Sequence, residues 1–260
     1  MNGEPGSVEV ARDGDVAVVT LRREHKLNAL SMHMETQLLT ALRTQEVRTS
    51  RAVVVTGGNT VFSAGADVNE IRTLTPDAIL AYYRNSGSVY EVFAELPQPT
   101  VVAVAGYCLG GGLELSLAGD IRIADETAVF GFPEIQIGIL PSSGGVTRAA
   151  RTLGYGRATD LILRGRRFGA HQALQWGLLT EVTDKGSHIR TALTIAHEIA
   201  EHDPLVVSVT KQVIHASPDA SQAASLLLER LAYAVLNRTT PAAHAHAHAH
   251  AHAHDEVKQP

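Results

Sequence analysis

The chain has one cysteine, Cys108, in 260 residues. An internal disulfide framework is therefore excluded, and a reducing compartment is the natural setting. Lysine is nearly as scarce: Lys26, Lys185, Lys211 and Lys258 are the whole supply, and the formal net charge is −5. Without a general basic surface no nucleic-acid partner is expected. The arginines still leave room for a local phosphate site. Long apolar runs are also missing, since Thr100–Gly106 is too short to span a bilayer. No N-terminal stretch has the layout of a signal peptide. The expectation is a soluble, cytoplasmic protein with no membrane partner.

A hydrophobic content of 45 % over this length can bury a sizeable core. The chain fits one large domain, or a core with a smaller appendage. Val8–Ala11 and Val16–Leu21 flank Asp13-Gly14-Asp15 and read as a hairpin. Ser31 reads as a helix N-cap, followed by Met34, Leu38 and Leu42 on one face. Ala52–Thr56 and Val101–Val104 read as buried strands, with Asp120–Ala124 and Val129–Phe130 as further ones. Thr75-Pro76-Asp77, Asp203-Pro204 and Ser217-Pro218 are cap-plus-first-turn pairs that open helices. Leu227, Leu231 and Val235 line one face of the last helix. Strands dominate early and helices late, with strand–turn–helix units between, which argues for α/β layering. A boundary is expected near residue 200.

Chemistry concentrates in three segments. Gly106-Tyr107-Cys108-Leu109-Gly110-Gly111-Gly112-Leu113-Glu114 and Phe130-Gly131-Phe132-Pro133-Glu134 each close on a glutamate. Phe62-Ser63-Ala64-Gly65-Ala66-Asp67 lies upstream. The glycine triplet lacks the Gly-Lys-Ser/Thr ending of a phosphate loop and the spacing of a dinucleotide fingerprint. It is either a tight strand-to-helix crossing or a place where Gly111 or a neighbour offers its N–H to an anion at a helix start. Phe62–Asp67 is a plain turn, with Asp67 capping the next helix, or a second backbone-donor loop. Glu114 sits among leucines, and Glu134 precedes Ile135, Ile137, Gly138 and Ile139, so both are bracketed by core-like residues. Either alone could be a buried, structurally satisfied carboxylate. Together, each beside a glycine-bearing turn, they favour an acid/base pair next to an oxyanion site.

Other reactive residue types read more plainly. Cys108 is a small packed residue rather than a nucleophile. His33, His171, His197, His202 and His215 fall on expected helices without metal-ligand spacing. The alternating Ala/His run from Ala243 to His254 is low-complexity and disordered by default. As a helix it would place His244, His248 and His252 on one face, where metal chelation is the alternative.

With these segments in order, the chain resembles the crotonase family, the enoyl-CoA hydratases and isomerases. The resemblance runs through Glu24–Leu30, Phe62–Asp67, Ala105–Glu114, Phe130–Glu134, Gly138–Gly145 and Leu161–Gly177, and reaches Thr210-Lys211-Gln212. It implies a ββα spiral core that binds acyl-CoA (residues 1–200). A C-terminal helical region (201–240) that builds trimers or dimers of trimers and the Ala/His tail (241–260) follow. It places the thioester oxygen between the N–H groups of Ala66 and Gly111, and the attacking water and C2 proton between Glu114 and Glu134. Substrate contacts would fall on Lys26, Leu27 and Ala29, where loop carbonyls read adenine, on Ala64, Gly65, Asp67 and Val68, and on Gly110, Pro133 and Gly138. No metal and no cofactor beyond the substrate's own coenzyme A is implied.

Retention of both glutamates favours hydration of a 2-enoyl-CoA. The rivals are a Δ3,Δ2-enoyl-CoA isomerase, another crotonase reaction, and a non-catalytic acyl-CoA binder. One departure from the hydratase pattern is Ser142-Ser143-Gly144-Gly145 in place of Gly-Ala-Gly-Gly. Another is the Ala/His tail where the family carries a further helix.

Overall fold

The computed structural model describes residues 5–239. The Ala/His tail, with His244, His248 and His252, lies outside the described residues. Two strands open the chain, β1 (Ser7–Asp13) and β2 (Val16–Arg22), paired antiparallel across Gly14-Asp15, with Gly14 at φ +57°. This is the expected hairpin. β3 (Ala52–Thr56) and β4 (Thr100–Val104) follow. Next come β5 (Tyr107–Leu109), β6 (Ile121–Asp125), β7 (Val129–Gly131), β8 (Arg167–Gly169) and β9 (Glu181–Thr183). One sheet has the order β1-β2-β3-β4-β6-β9, parallel from β2 onward. The second is β5-β7-β8. Asp120, read as the start of β6, stands just before it and accepts hydrogen bonds from Thr100.

At its centre the large sheet is buried on both faces, which explains the continuous apolar runs of β3 and β4. Val53, Val55, Val102 and Val104 enter the main core, whereas Ala52, Val54, Val101 and Ala103 point the other way. That is the period-2 alternation of a strand with core on either side.

The helices are α1 (Met32–Ala41), α2 (Gln45–Arg48), α3 (Val68–Ile71), α4 (Pro76–Arg84), α5 (Val89–Ala94) and α6 (Gly111–Ala118). They continue with α7 (Gly145–Leu153), α8 (Tyr155–Arg164), α9 (Ala170–Gln175), α10 (His188–Ala200), α11 (Pro204–Ala216) and α12 (Gln222–Thr239). α10 covers the second face of the sheet with Ala192, Ala196 and Ala200, small residues four apart that share one stripe. Ser31, Thr75 and Asp203 cap α1, α4 and α11 as expected, each accepting from a backbone N–H one turn in.

One cap is displaced. Ser217-Pro218 does not open the last helix; it forms a three-residue 3₁₀ turn, and Ser217 Oγ donates back to Val213 O at 2.7 Å. Ser221 takes the cap role instead, accepting from Ala224 N. Of the singled-out histidines, His202 falls just beyond α10 rather than within a helix.

Candidate functional site

The site is assembled where two loops meet. β5 ends at Leu109, Gly110 turns the backbone with φ +49°, and α6 begins at Gly111. The turn passes close beneath Phe62–Asp67. A Cβ on Gly112 would stand 2.7 Å from Ser63 O, and one on Gly111 would stand 3.3 Å from Ala66 N. Glycine is therefore required by close approach. Gly65, at φ +101°, completes the contact, because a Cβ there would meet Leu109 O at 2.8 Å and Gly111 N at 3.3 Å. The N–H groups of Ala66 and Gly111 donate no hydrogen bond within the described residues. Two free backbone donors thus lie side by side, one at a helix start.

A third loop is laced to these. Leu30 N donates to Gly65 O, Ala64 N to Leu27 O, and Asp67 N to Leu30 O. Asn28, fully buried at φ +51°, donates through Nδ2 to Gly57 O and Val61 O. Arg23 Nη1 reaches both Ala29 O and Asp67 Oδ2 at 3.0 Å. Asp67 also caps α3, as expected, accepting from Asn69 N.

Glu114 projects from the first turn of α6 and is 4 % exposed. Its Oε1 accepts from Ser143 N at 2.7 Å and Gly145 N at 2.8 Å. Gly145 starts α7, so the carboxylate sits at that helix's positive end. Burial pushes Glu114 upward, while these two donors and Arg148 oppose the rise. Glu134 opens the 3₁₀ turn Glu134–Ile137, which Gly138 ends at φ +79°. Burial, with Glu114 nearby, pushes Glu134 up to about 7. Its Oε2 is buried with no partner within the described residues. Its Oε1 would be 2.9 Å from a Cβ on Gly110.

Both carboxylates border a cavity of about 510 Å³. Ala64, Gly65, Ala66, Asp67, Val68, Gly110, Gly111 and Pro133 line it with them, so the expected residues converge. Lys26, Leu27, Ala29 and Gly138 are not among its lining; the first three lie on the laced loop behind Ala64–Asp67. The isoleucines after Glu134 correct a sequence expectation. Ile135, Ile137, Ile139 and Leu140 are exposed rather than core, and the last three form part of the cavity wall.

Sequence reasoning missed a third carboxylate. Glu35, on α1, is 1 % exposed and lines the same cavity. Tyr82 and Tyr90 both donate to its Oε1, at 2.8 and 2.9 Å, and burial pushes Glu35 up to about 7. Its position, one residue past Met34 in the apolar stripe, was the available signal. His188 was missed too; it is fully buried at the start of α10, with Nε2 3.1 Å from Gly58 O and Nδ1 3.4 Å from Asp125. It ties α10 to the sheet. Cys108 is buried as expected, and burial pushes its thiol up, away from the reactive thiolate.

Comparison with known proteins shows what the chain as a whole is similar to. The family described as enoyl-CoA hydratase/isomerase matches residues 11–251. The 2,3-dehydroadipyl-CoA hydratase of Escherichia coli (strain K12) is 36 % identical over 231 residues, 88 % of this chain and 90 % of that protein. The crystal structure of an enoyl-CoA hydratase from Bacillus anthracis superposes with a TM-score of 0.83 at 33 % identity, covering 90 % of this chain and 92 % of that one. An enoyl-CoA hydratase from Thermoplasma volcanium GSS1 gives 0.85 at 32 %, covering 91 % and 94 %.

Proposed function

The chain belongs to the enoyl-CoA hydratase/isomerase family, and from that premise we propose that it is an enoyl-CoA hydratase, adding water to a 2-enoyl-CoA to give the 3-hydroxyacyl-CoA. The observation that carries this reading is a pair of buried carboxylates in unlike settings, over one cavity, beside two unengaged N–H groups. The thioester oxygen would lie between Ala66 N–H and Gly111 N–H, where charge builds as water attacks C3. One such donor is worth about 2.7–4 kcal/mol of barrier.

The two glutamates divide the proton work by environment. Glu114 accepts two backbone N–H bonds at a helix start, which oppose the rise that burial imposes, so of the two carboxylates it is the one that takes the proton from water as the oxygen bonds to C3. Glu134, raised to about 7 with one oxygen unpartnered, holds a proton near neutrality and delivers it to C2 as the enolate collapses. The water is consumed whole, and exchange with solvent restores both groups. This chemistry needs no metal or redox cofactor.

The laced loop Lys26–Ala29 is assigned to the adenine end of coenzyme A, and a homo-oligomer is part of the proposal. Leu227, Leu231 and Tyr233 on α12, each more than half exposed, support a subunit contact. The test is a turnover screen of 2-enoyl-CoA esters from short to long chain, with a 3-enoyl isomer included. Hydration of 2-enoyl esters, lost in Glu134→Gln, supports the reading. Conversion of the 3-enoyl ester alone would make the protein an isomerase, and tight binding without turnover would make it a binder.

A further inference from the structure

Glu35 has no task in the hydration just described, yet it occupies a wall of the same cavity. Its Oε1 accepts from two phenols, which hold the carboxyl in place. Its Oε2 is buried and has no partner within the described residues. Buried carboxyl oxygens are ordinarily satisfied, so one left open beside a substrate-sized space points to a ligand atom. The neighbours say where along the substrate that atom lies. Tyr90 Oη stands close to the Gly111 turn, where a Cβ would lie 3.1 Å from it, while Tyr82 belongs to α4, whose Ile79 lines the cavity, so Glu35 faces the space between the carbonyl end and α4 that the acyl chain must pass.

Charge narrows the chemistry. Glu35, Glu70, Glu114 and Glu134 line the cavity together with Asp67, which Arg23 pairs from behind, and among the described residues no lysine or arginine lines it. A chain ending in a carboxylate would enter a field of like sign with no cation to receive it. A wholly aliphatic chain would leave Oε2 unsatisfied. A hydroxyl suits the position whatever the proton state of Glu35, donating to the carboxylate or accepting from the carboxyl.

We infer that Glu35, held by Tyr82 and Tyr90, is a specificity-determining residue that selects acyl chains bearing a hydroxyl group beyond the double bond and disfavours chains ending in a carboxylate. This rests on the assignment of the cavity to an acyl-CoA thioester.

The test compares three 2-enoyl-CoA esters of matched length, with a methyl, a hydroxyl or a carboxylate at the chain end. Their saturated analogues are titrated by calorimetry alongside. Wild type is expected to favour the hydroxyl ester over the methyl ester roughly 10- to 100-fold in kcat/KM, and its saturated analogue similarly in Kd. The carboxylate ester should rank last. Glu35→Leu should remove or reverse the hydroxyl preference, and Glu35→Gln, which keeps an acceptor for the tyrosines, should retain part of it. Circular dichroism and thermal melts verify that each variant is folded. An equal hydroxyl-to-methyl ratio in folded wild type and Glu35→Leu overturns the inference, as does a wild-type preference for the carboxylate ester. If no ester is hydrated, the hydratase reading fails, while the Kd series still decides the role of Glu35.

Discussion

Glu134 and Glu114 carry the same functional group in different surroundings, and their titration should be visible in rate and in stability. Under the proposed hydration mechanism Glu134 acts while protonated, so kcat/KM is predicted to fall as pH rises through about 7. Replacement by glutamine should lower kcat by roughly 10²–10⁴ and remove that limb of the profile. Stability moves with the same proton. Glu134 titrates at 4.5 in the ordinary case and near 7 when folded, so between those values the folded protein binds more protons than the unfolded chain. Stability is therefore greatest below the window and is lost as pH rises through it. Glu134→Gln should be more stable than wild type at pH 8, by up to about 3 kcal/mol, with the gain absent at pH 4. Urea melts at the two pH values decide it. Both residues stood out in the sequence because each closes a glycine-bearing segment. Glu35 did not, because a glutamate beside an apolar stripe reads as a solvated flank, and what buries it arrives from Tyr82 and Tyr90, about fifty positions downstream.

Short elements, not long ones, set the geometry of the site. Gly110 and Gly145 each leave room for a carboxylate where any side chain would push it aside: a Cβ would lie 2.9 Å from Glu134 Oε1 in the first case and 2.7 Å from Glu114 Oε1 in the second. Gly110→Ala and Gly145→Ala are predicted to cost about 10² in kcat, since a displacement near 1 Å suffices for that loss. Binding of a saturated acyl-CoA, followed by calorimetry, should change much less. At this scale β1 to β4, β6, β7 and the caps at Ser31, Thr75 and Asp203 were legible, because local pattern and cap chemistry agree with the fold, whereas β5, β8 and β9, three residues each, are too short to show a strand period. Ser217-Pro218 misled because Pro suits the first turn of either helix type, and only the bond from Ser217 Oγ to Val213 O shows that the serine closes α11. The isoleucines after Glu134 misled because apolar residues lining a ligand cavity carry the same pattern as core.

Across the whole molecule, apolar surface remains on α12. Changing Leu231 to aspartate is predicted to shift the protein to a smaller species in light scattering if that face joins subunits, with far-ultraviolet circular dichroism unchanged. The subunit contact was expected only through the family resemblance; the leucine spacing alone marks an apolar face without naming its partner. Within the subunit, the two ends of the cavity are built from different materials. Around Ala66 and Gly111 the wall is main chain, which point substitution cannot easily alter without a clash. Around Ile79, Tyr83 and Leu140 it is side chain. Substitutions on that side can retune which acyl tail is accepted while the carbonyl end keeps its form, so new substrates are reachable by single steps that never touch the chemistry.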